Sequence, residues 1–263
     1  RRQNRQRGRI GCFIKERRPG PARPVTGRGM PPVSIKTPGE ARPSRIHGRR
    51  SGHALRQGQR ALMQDLLPGL KLDLGGDARH QALLAAPQRA LWLEIGFGGG
   101  EHLAFQAANN PDTGFIGCEP FINGIAKLLA RIARDGLGNI RLHDGDAREL
   151  LAWLPDQSLD RVFILYPDPW PKRRHWKRRI VGAETVVELA RAMKPGSQLR
   201  IASDIDDYID WILRHVLGHG AFAWTARTPS DWRMPPPDWT RTRYEAKALR
   251  EGRKPAYLTF LRR

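Results

Sequence analysis

The sequence predicts an α/β fold: a mostly parallel sheet with helices on both faces. Three observations predict it. Short apolar runs of strand length alternate along the chain with longer segments of helical period. The first strong apolar run, Ala90 to Ile95, passes directly into the glycine loop Gly96-Phe97-Gly98-Gly99-Gly100, and a helix is predicted from Glu101. The strand ends that follow carry acids, Glu119 and Asp168 among them, as expected where one edge of a sheet builds a site.

Charge divides the 263 residues unequally. Residues 1–60 hold 17 Lys/Arg against 2 Asp/Glu, whereas 61–263 hold 29 against 24. A basic arm suits a polyanionic partner, nucleic acid before membrane; the alternative is a merely solvated tail. Residues 1–45, rich in Arg, Gly and Pro and without apolar period, read as a disordered extension, and 46–263 as the folded domain. Met30 is a candidate start, which would place the first 29 residues outside the native protein. Cys12 and Cys118 form no metal or disulfide pattern, and no apolar run has the length of a membrane span or signal peptide. These features predict a reduced, cytoplasmic protein with no metal, and they leave monomer and homodimer both open.

In chain order, Arg49, Arg50 and Arg56 lie in an extended basic segment, and Gln59 to Leu67 reads as a short helix ended by Pro68-Gly69. The Ala90–Ile95 run fits a buried strand. Glycines suit the loop after it, where the backbone turns sharply or approaches a ligand. Its spacing is not the dinucleotide fingerprint, because the sixth position from Gly96 is Glu101. Leu103 to Asn109 continues the next helix. Thr113 to Glu119 is the second strand, and Glu119, 19 residues beyond Gly100, stands where a Rossmann-like site holds ribose hydroxyls; the alternative is a solvated strand end. Phe121, Ile125, Leu128, Leu129 and Ile132 form the core stripe of a helix over Pro120 to Asp135. Asn139 to His143 is the third strand. Asp146 either accepts from an adenine amino group or caps the helical run Arg148 to Trp153, or both.

Leu159 to Leu165 is the fourth strand. It leads into Tyr166-Pro167-Asp168-Pro169-Trp170-Pro171, stiffened by three prolines that hold Asp168 at the mouth of the sheet. Six Lys/Arg follow between Lys172 and Arg179, with Trp170 and Trp176 beside and among them, a combination suited to phosphates and unpaired bases. The alternative is a solvated charge run with two packing tryptophans. Val186, Leu189, Ala190 and Met193 mark a helix closed by Lys194-Pro195-Gly196, and Gln198 to Ala202 the fifth strand, with Asp204 just beyond it. Ile205, Ile209, Ile212, Leu213 and Val216 mark another helix. Phe222 to Thr225 is a sixth strand, Pro229 to Trp239 a loop, Thr240 to Glu251 a polar helix or its lead-in, and Ala256 to Leu261 the last strand.

Glu94-x-Gly96-x-Gly98-x-Gly100 resembles the first motif of Rossmann-like S-adenosylmethionine (SAM) methyltransferases, which implies their seven-stranded fold with an antiparallel last strand. Together with Tyr166 to Lys172, Ser203-Asp204 and Thr242-Arg243-Tyr244-Glu245, the chain from about Ile46 to Arg263 is similar to the bacterial tRNA (guanine-N7-)-methyltransferase family. That resemblance implies SAM contacts at Glu94, Gly96, Gly98, Gly100, Glu119, Asp146 and Asp168, with Asp168 catalytic. It also implies tRNA contacts at Lys172, Asp204, Thr242, Arg243, Tyr244 and Glu245, and a variable-loop guanine as target. Pro171 and Tyr244 depart from the residues common there, His and Phe. Three other readings compete. An exocyclic-amine methyltransferase would carry a related proline loop. A non-catalytic nucleic-acid module would have lost its cofactor site. A nicotinamide dehydrogenase lacks its third glycine here.

Overall fold

The last strand decides the topology. In the computed structural model, which describes residues 46–76 and 89–263, β7 (Ala256–Arg262) inserts antiparallel between β5 (Met193–Ser203) and β6 (Phe222–Trp224). The other strands, β1 (Ala90–Ile95), β2 (Thr113–Cys118), β3 (Ile140–His143) and β4 (Leu159–Leu165), are parallel, and the order is β3-β2-β1-β4-β5-β7-β6. This is the predicted seven-stranded Rossmann-like sheet. The chain leaves β1 toward β2 and later returns on the other side of β1 as β4. The order therefore reverses at β1, and the crevice beyond the strand ends at such a point is where open α/β sheets bind ligands.

Strand alternation assigns the two cores. Leu91, Leu93 and Ile95 face the side covered by α5 (Ala147–Trp153), α6 (Ala183–Ala192) and α7 (Asp206–Gly218), with Leu150, Val186, Leu189 and Ile212 fully buried there. Trp92 and Phe115 face the other side, against Leu103 of α3 (Glu101–Asn109) and against α4 (Ile122–Asp135), whose Ile125, Leu128, Leu129 and Ile132 follow the predicted stripe, while Phe121 is the N-cap and lies outside this core. Gly136, at φ 64°, ends α4 in the left-handed conformation a helix terminus favours. Each of these large apolar side chains contributes about 1.5–3 kcal/mol by leaving water.

Three local expectations are corrected, at Pro68-Gly69, at Met193 and at Pro229 to Trp239. Pro68-Gly69 does not end the first helix: α1 (Gln57–Asp65) stops earlier, and Pro68 lies in the first turn of α2 (Leu67–Leu70), where its missing N–H costs nothing. Met193 is not the last residue of a helix but the first of β5, paired with Leu159, and the strand carries Lys194-Pro195-Gly196 across an irregular register. The basic run Arg173–Arg178 folds as a 3-10 helix. The segment Pro229 to Trp239 holds a short helix, α8 (Ser230–Arg233). The polar segment near the end is α9 (Arg243–Arg250). The expectation of disorder for residues 1–45 falls outside the described residues. Among the described residues no helix is long and apolar enough to cross a membrane.

Candidate active site

The strand ends and the glycine loop surround a cleft of about 370 Å³, within the size range of small-molecule sites. Its lining includes Gly96, Glu119, Asp146, Asp168 and Tyr244 from the sequence prediction. Gly96, Gly98 and Gly100 all take positive φ, 76°, 57° and 72°, which explains the residue type at alternate positions.

Glu119 fastens this loop. Its Oε2 accepts a hydrogen bond from Gly98 N at 2.7 Å and its Oε1 one from Phe121 N at 3.0 Å. Each oxygen keeps a further lone pair for a ligand hydroxyl. Burial raises the Glu119 carboxyl above its ordinary range, against those two backbone donors. From below, α4 presses its Gly124 so close to the loop that an added Cβ would lie 2.2 Å from Gly98 O. Gly124→Ala is therefore expected to displace the loop. It should lower stability by about 1–3 kcal/mol and weaken SAM binding, read by melting and by calorimetric titration. An alanine variant with unaltered cofactor affinity would contradict that packing.

Asp146 serves as the N-cap of α5, accepting from Arg148 N at 2.9 Å, while its residue also lines the cleft. The cap expected from sequence is thus present. Asp168 differs from both. Among the described residues nothing donates a hydrogen bond to its carboxylate or pairs with it; the residue is solvent-exposed, and the partial desolvation by the cleft walls raises its pKa. The residues flanking Pro167-Asp168-Pro169 are held with left-handed backbone, Tyr166 at φ 52° and Trp170 at 43°, a conformation that costs of order 1–3 kcal/mol outside glycine and clusters at functional sites.

Other predicted residues lie elsewhere. Glu94 is buried on the far side of β1, its Oε2 2.8 Å from His102 Nδ1. Gln106 continues this buried chain to the backbone carbonyl of Asp238 at 2.7 Å, and Asp238 in turn pairs with Arg161 and Arg200. Asp204 is paired with Arg253. Thr242 caps α9, its Oγ1 accepting from Glu245 N at 3.2 Å. Glu245 is buried, accepting from Trp239 Nε1 and Tyr257 Oη, both at 2.7 Å. Tyr244 stays exposed over Gly98, and Arg243 lies against its ring at 4.8 Å. Lys172 is exposed at the start of the 3-10 helix.

One wall was missed from sequence. Ile46, His47, Gly48 and Arg49 line the cleft. The segment is tied down where Ile122 N donates to Arg50 O at 2.9 Å and where Asn123 exchanges hydrogen bonds with Gly52 N and His53 O at 2.6 and 2.7 Å. His47 meets Trp170 edge-on at 6.3 Å. A basic, Gly-containing stretch without apolar period carries no signal for this; Asn123-Gly124, just after the Glu119 strand end, is the nearest to one.

Residues 88–258 match a family model described as "Putative methyltransferase". A tRNA (guanine-N(7)-)-methyltransferase of Agrobacterium fabrum is 54% identical over 218 residues, covering 82% of this chain and 94% of the relative. The chain belongs to the tRNA (guanine-N7-)-methyltransferase family. Members from Nitrobacter hamburgensis and Mesorhizobium japonicum are 54% and 51% identical, covering 82% and 84% of this chain and 85% and 98% of theirs. Among solved structures, the 16S rRNA methyltransferase KamB matches with a TM-score of 0.54 at 17% identity, over 72% of this chain and 94% of that one; the likeness is one of fold. The family resemblance read from Glu94 to Gly100, the Asp168 loop and Thr242 to Glu245 thus holds over most of the chain.

Proposed function

We propose that this chain transfers the methyl group of SAM to N7 of a guanine in tRNA, at the variable loop, forming N7-methylguanosine. The observation that carries the reading is the Asp168 carboxylate, rigidly held in the cleft without a partner of its own, in a chain more than half identical to tRNA (guanine-N(7)-)-methyltransferases.

The residues of the cleft fit SAM by their chemistry. Glu119 offers acceptors to a vicinal diol and Asp146 one to an adenine amino group. An unpartnered carboxylate at Asp168 suits a cationic centre. SAM supplies an electrophilic methyl group on a sulfonium. Glu94, paired with His102 on α3, would act on the methionine end through water. Guanine N7 has a lone pair and no proton, so no general base is needed and the protein's task is alignment. Methylation leaves the base cationic, and Asp168, with no partner among the described residues, stabilises that charge or orients the base edge.

The tRNA would approach over the exposed Lys172, Arg173, Arg174 and Lys177 and over Arg243 and Tyr244, whose seats depend on Thr242 and Glu245. Asp204, just beyond β5, is held by Arg253. The test is transfer of labelled methyl from SAM to unmodified tRNA transcript, followed by reduction and aniline scission. A single cut at a variable-loop guanine, lost in Asp168→Ala, is expected. Methyl transfer without scission would point to an exocyclic amine instead and overturn the N7 assignment.

A further inference from the structure

The basic run ends in an arginine unlike its neighbours. Lys172, Arg173, Arg174 and Lys177 are exposed, whereas Arg179 is only 3% exposed. Its guanidinium donates from Nε to Pro169 O at 2.8 Å and is ion-paired through Nη2 with Asp207 on α7. It lies 4.8 Å from the ring centres of Trp176 and Tyr208 and 5.0 Å from that of Trp211. Trp211 in turn donates to Val181 O at 2.6 Å, two residues along the chain from Arg179. A guanidinium enclosed in this way reaches no phosphate. What it does reach is the carbonyl of the residue that follows Asp168.

That carbonyl belongs to a loop that needs holding. Tyr166 and Trp170 take left-handed backbone at either end of Pro167-Asp168-Pro169, and such conformations persist only where the surroundings over-determine them. Pro167, Pro169 and Pro171 have no N–H with which the loop could anchor itself. Arg179 supplies the missing anchor, and its two donors span the gap from the loop to α7. A lysine keeps the charge but has no planar fork and cannot hold both partners from one stacked position.

We infer that Arg179 is a positioning residue: it fixes the Asp168 loop against α7, and it is not one of the tRNA phosphate contacts of the run that contains it. The inference rests on the methyltransferase reading above for its kinetic consequence, though not for its structural one. Arg179→Lys, with Asp207→Asn as a second and milder variant at a largely exposed carboxylate, would be compared with the native enzyme in steady-state kinetics on tRNA transcript and in hydrogen exchange. Arg179→Lys is expected to lower kcat by about 30- to 100-fold, the scale of an ångström-sized misplacement of a reacting group. The KM for tRNA should stay within about threefold, because no phosphate contact is lost. Amide exchange at Tyr166, whose N–H donates to Ala202 O at 2.8 Å at the start of the loop, should quicken, and Asp207→Asn should shift kcat and exchange in the same direction by less. A rise in tRNA KM alone, with kcat and exchange unchanged, would make Arg179 an RNA contact and overturn the inference. If the native enzyme itself failed to methylate tRNA, the proposed function would fall. The exchange readout would still decide the anchor, since unchanged exchange in both variants overturns it whatever the reaction.

Discussion

Asp168→Asn is expected to abolish most activity and to make the apoprotein more stable at neutral pH. Both effects have one cause. Asp168 sits in the cleft with no donor among the described residues, and partial desolvation by the cleft walls raises its pKa, so the fold holds a carboxylate whose charged form it disfavours. A group with a raised folded pKa binds its proton more tightly in the native state. Its favourable contribution is complete below the unfolded value, near pH 3.8, and is lost as pH rises through the raised folded value. As pH rises through that value the native enzyme takes on a penalty for the charge, a modest one because Asp168 is solvent-exposed in the cleft, and Asn, nearly the same shape, removes it. Each kcal/mol recovered should raise the melting temperature by about 2–4 °C in a protein of this size. The gap between variant and native enzyme should narrow as pH is lowered toward 4. Activity should fall by about 100- to 1,000-fold in kcat, the scale for deleting one electrostatic stabiliser. Saturating SAM should raise the melting temperature of the native enzyme more than that of the variant, because the sulfonium gives Asp168 the partner it lacks. An Asn variant less stable than native at pH 8, or one with full turnover, would show that this carboxylate is not an unpaired charge kept for the reaction.

The fold was legible wherever one period governed a whole element. Leu159 to Leu165, the Ile125–Ile132 stripe and Thr113 to Cys118 all lie where the pattern puts them, because burial on a sheet or helix face enforces that pattern. Met193 was misread because Lys194-Pro195-Gly196 looks like a helix stop, whereas β5 tolerates it through a register irregularity beside Leu159. Glu119, Asp146 and Asp168 were legible as acids at strand ends and do meet in one cleft. What could not be read is which member of a charge run is buried. Arg179 and Arg178 are adjacent and chemically identical in sequence; the hydrogen bond to Pro169 O, the ion pair with Asp207 and the enclosure by Trp176, Tyr208 and Trp211 set Arg179 apart. The wall from Ile46 to Arg49 was equally invisible, since it is held by backbone and Asn123 hydrogen bonds that leave no apolar signature.

Glu245 poses the opposite problem, a residue whose motif suggests RNA and whose surroundings suggest scaffolding. It is 2% exposed, with Trp239 Nε1 donating to one oxygen and Tyr257 Oη to the other, while its own N–H completes the Thr242 cap. Hydrogen bonds to a charged acceptor contribute about 1.5–3 kcal/mol each, and removing the acceptor strands both donors in a buried site. Glu245→Ala is therefore expected to cost about 3 kcal/mol, allowing for partial relaxation, and to lower the melting temperature by about 6–12 °C. Glu245→Gln, whose amide can accept from only one of the two donors, should fall between. The kinetic consequence is indirect: α9 begins at Arg243, and Tyr244 over the glycine loop rides on that first turn, so loosening it should raise the KM for tRNA while the variant remains folded. The decisive comparison is thermal melting against tRNA KM in the two variants. An increase in KM with no change in melting would mean that Glu245 faces the RNA directly, and that the hydrogen bonds to Trp239 and Tyr257 give way when tRNA binds. A fall in melting temperature that scales with the rise in KM would mean that this acid serves tRNA binding by holding the surface on which Arg243 and Tyr244 stand.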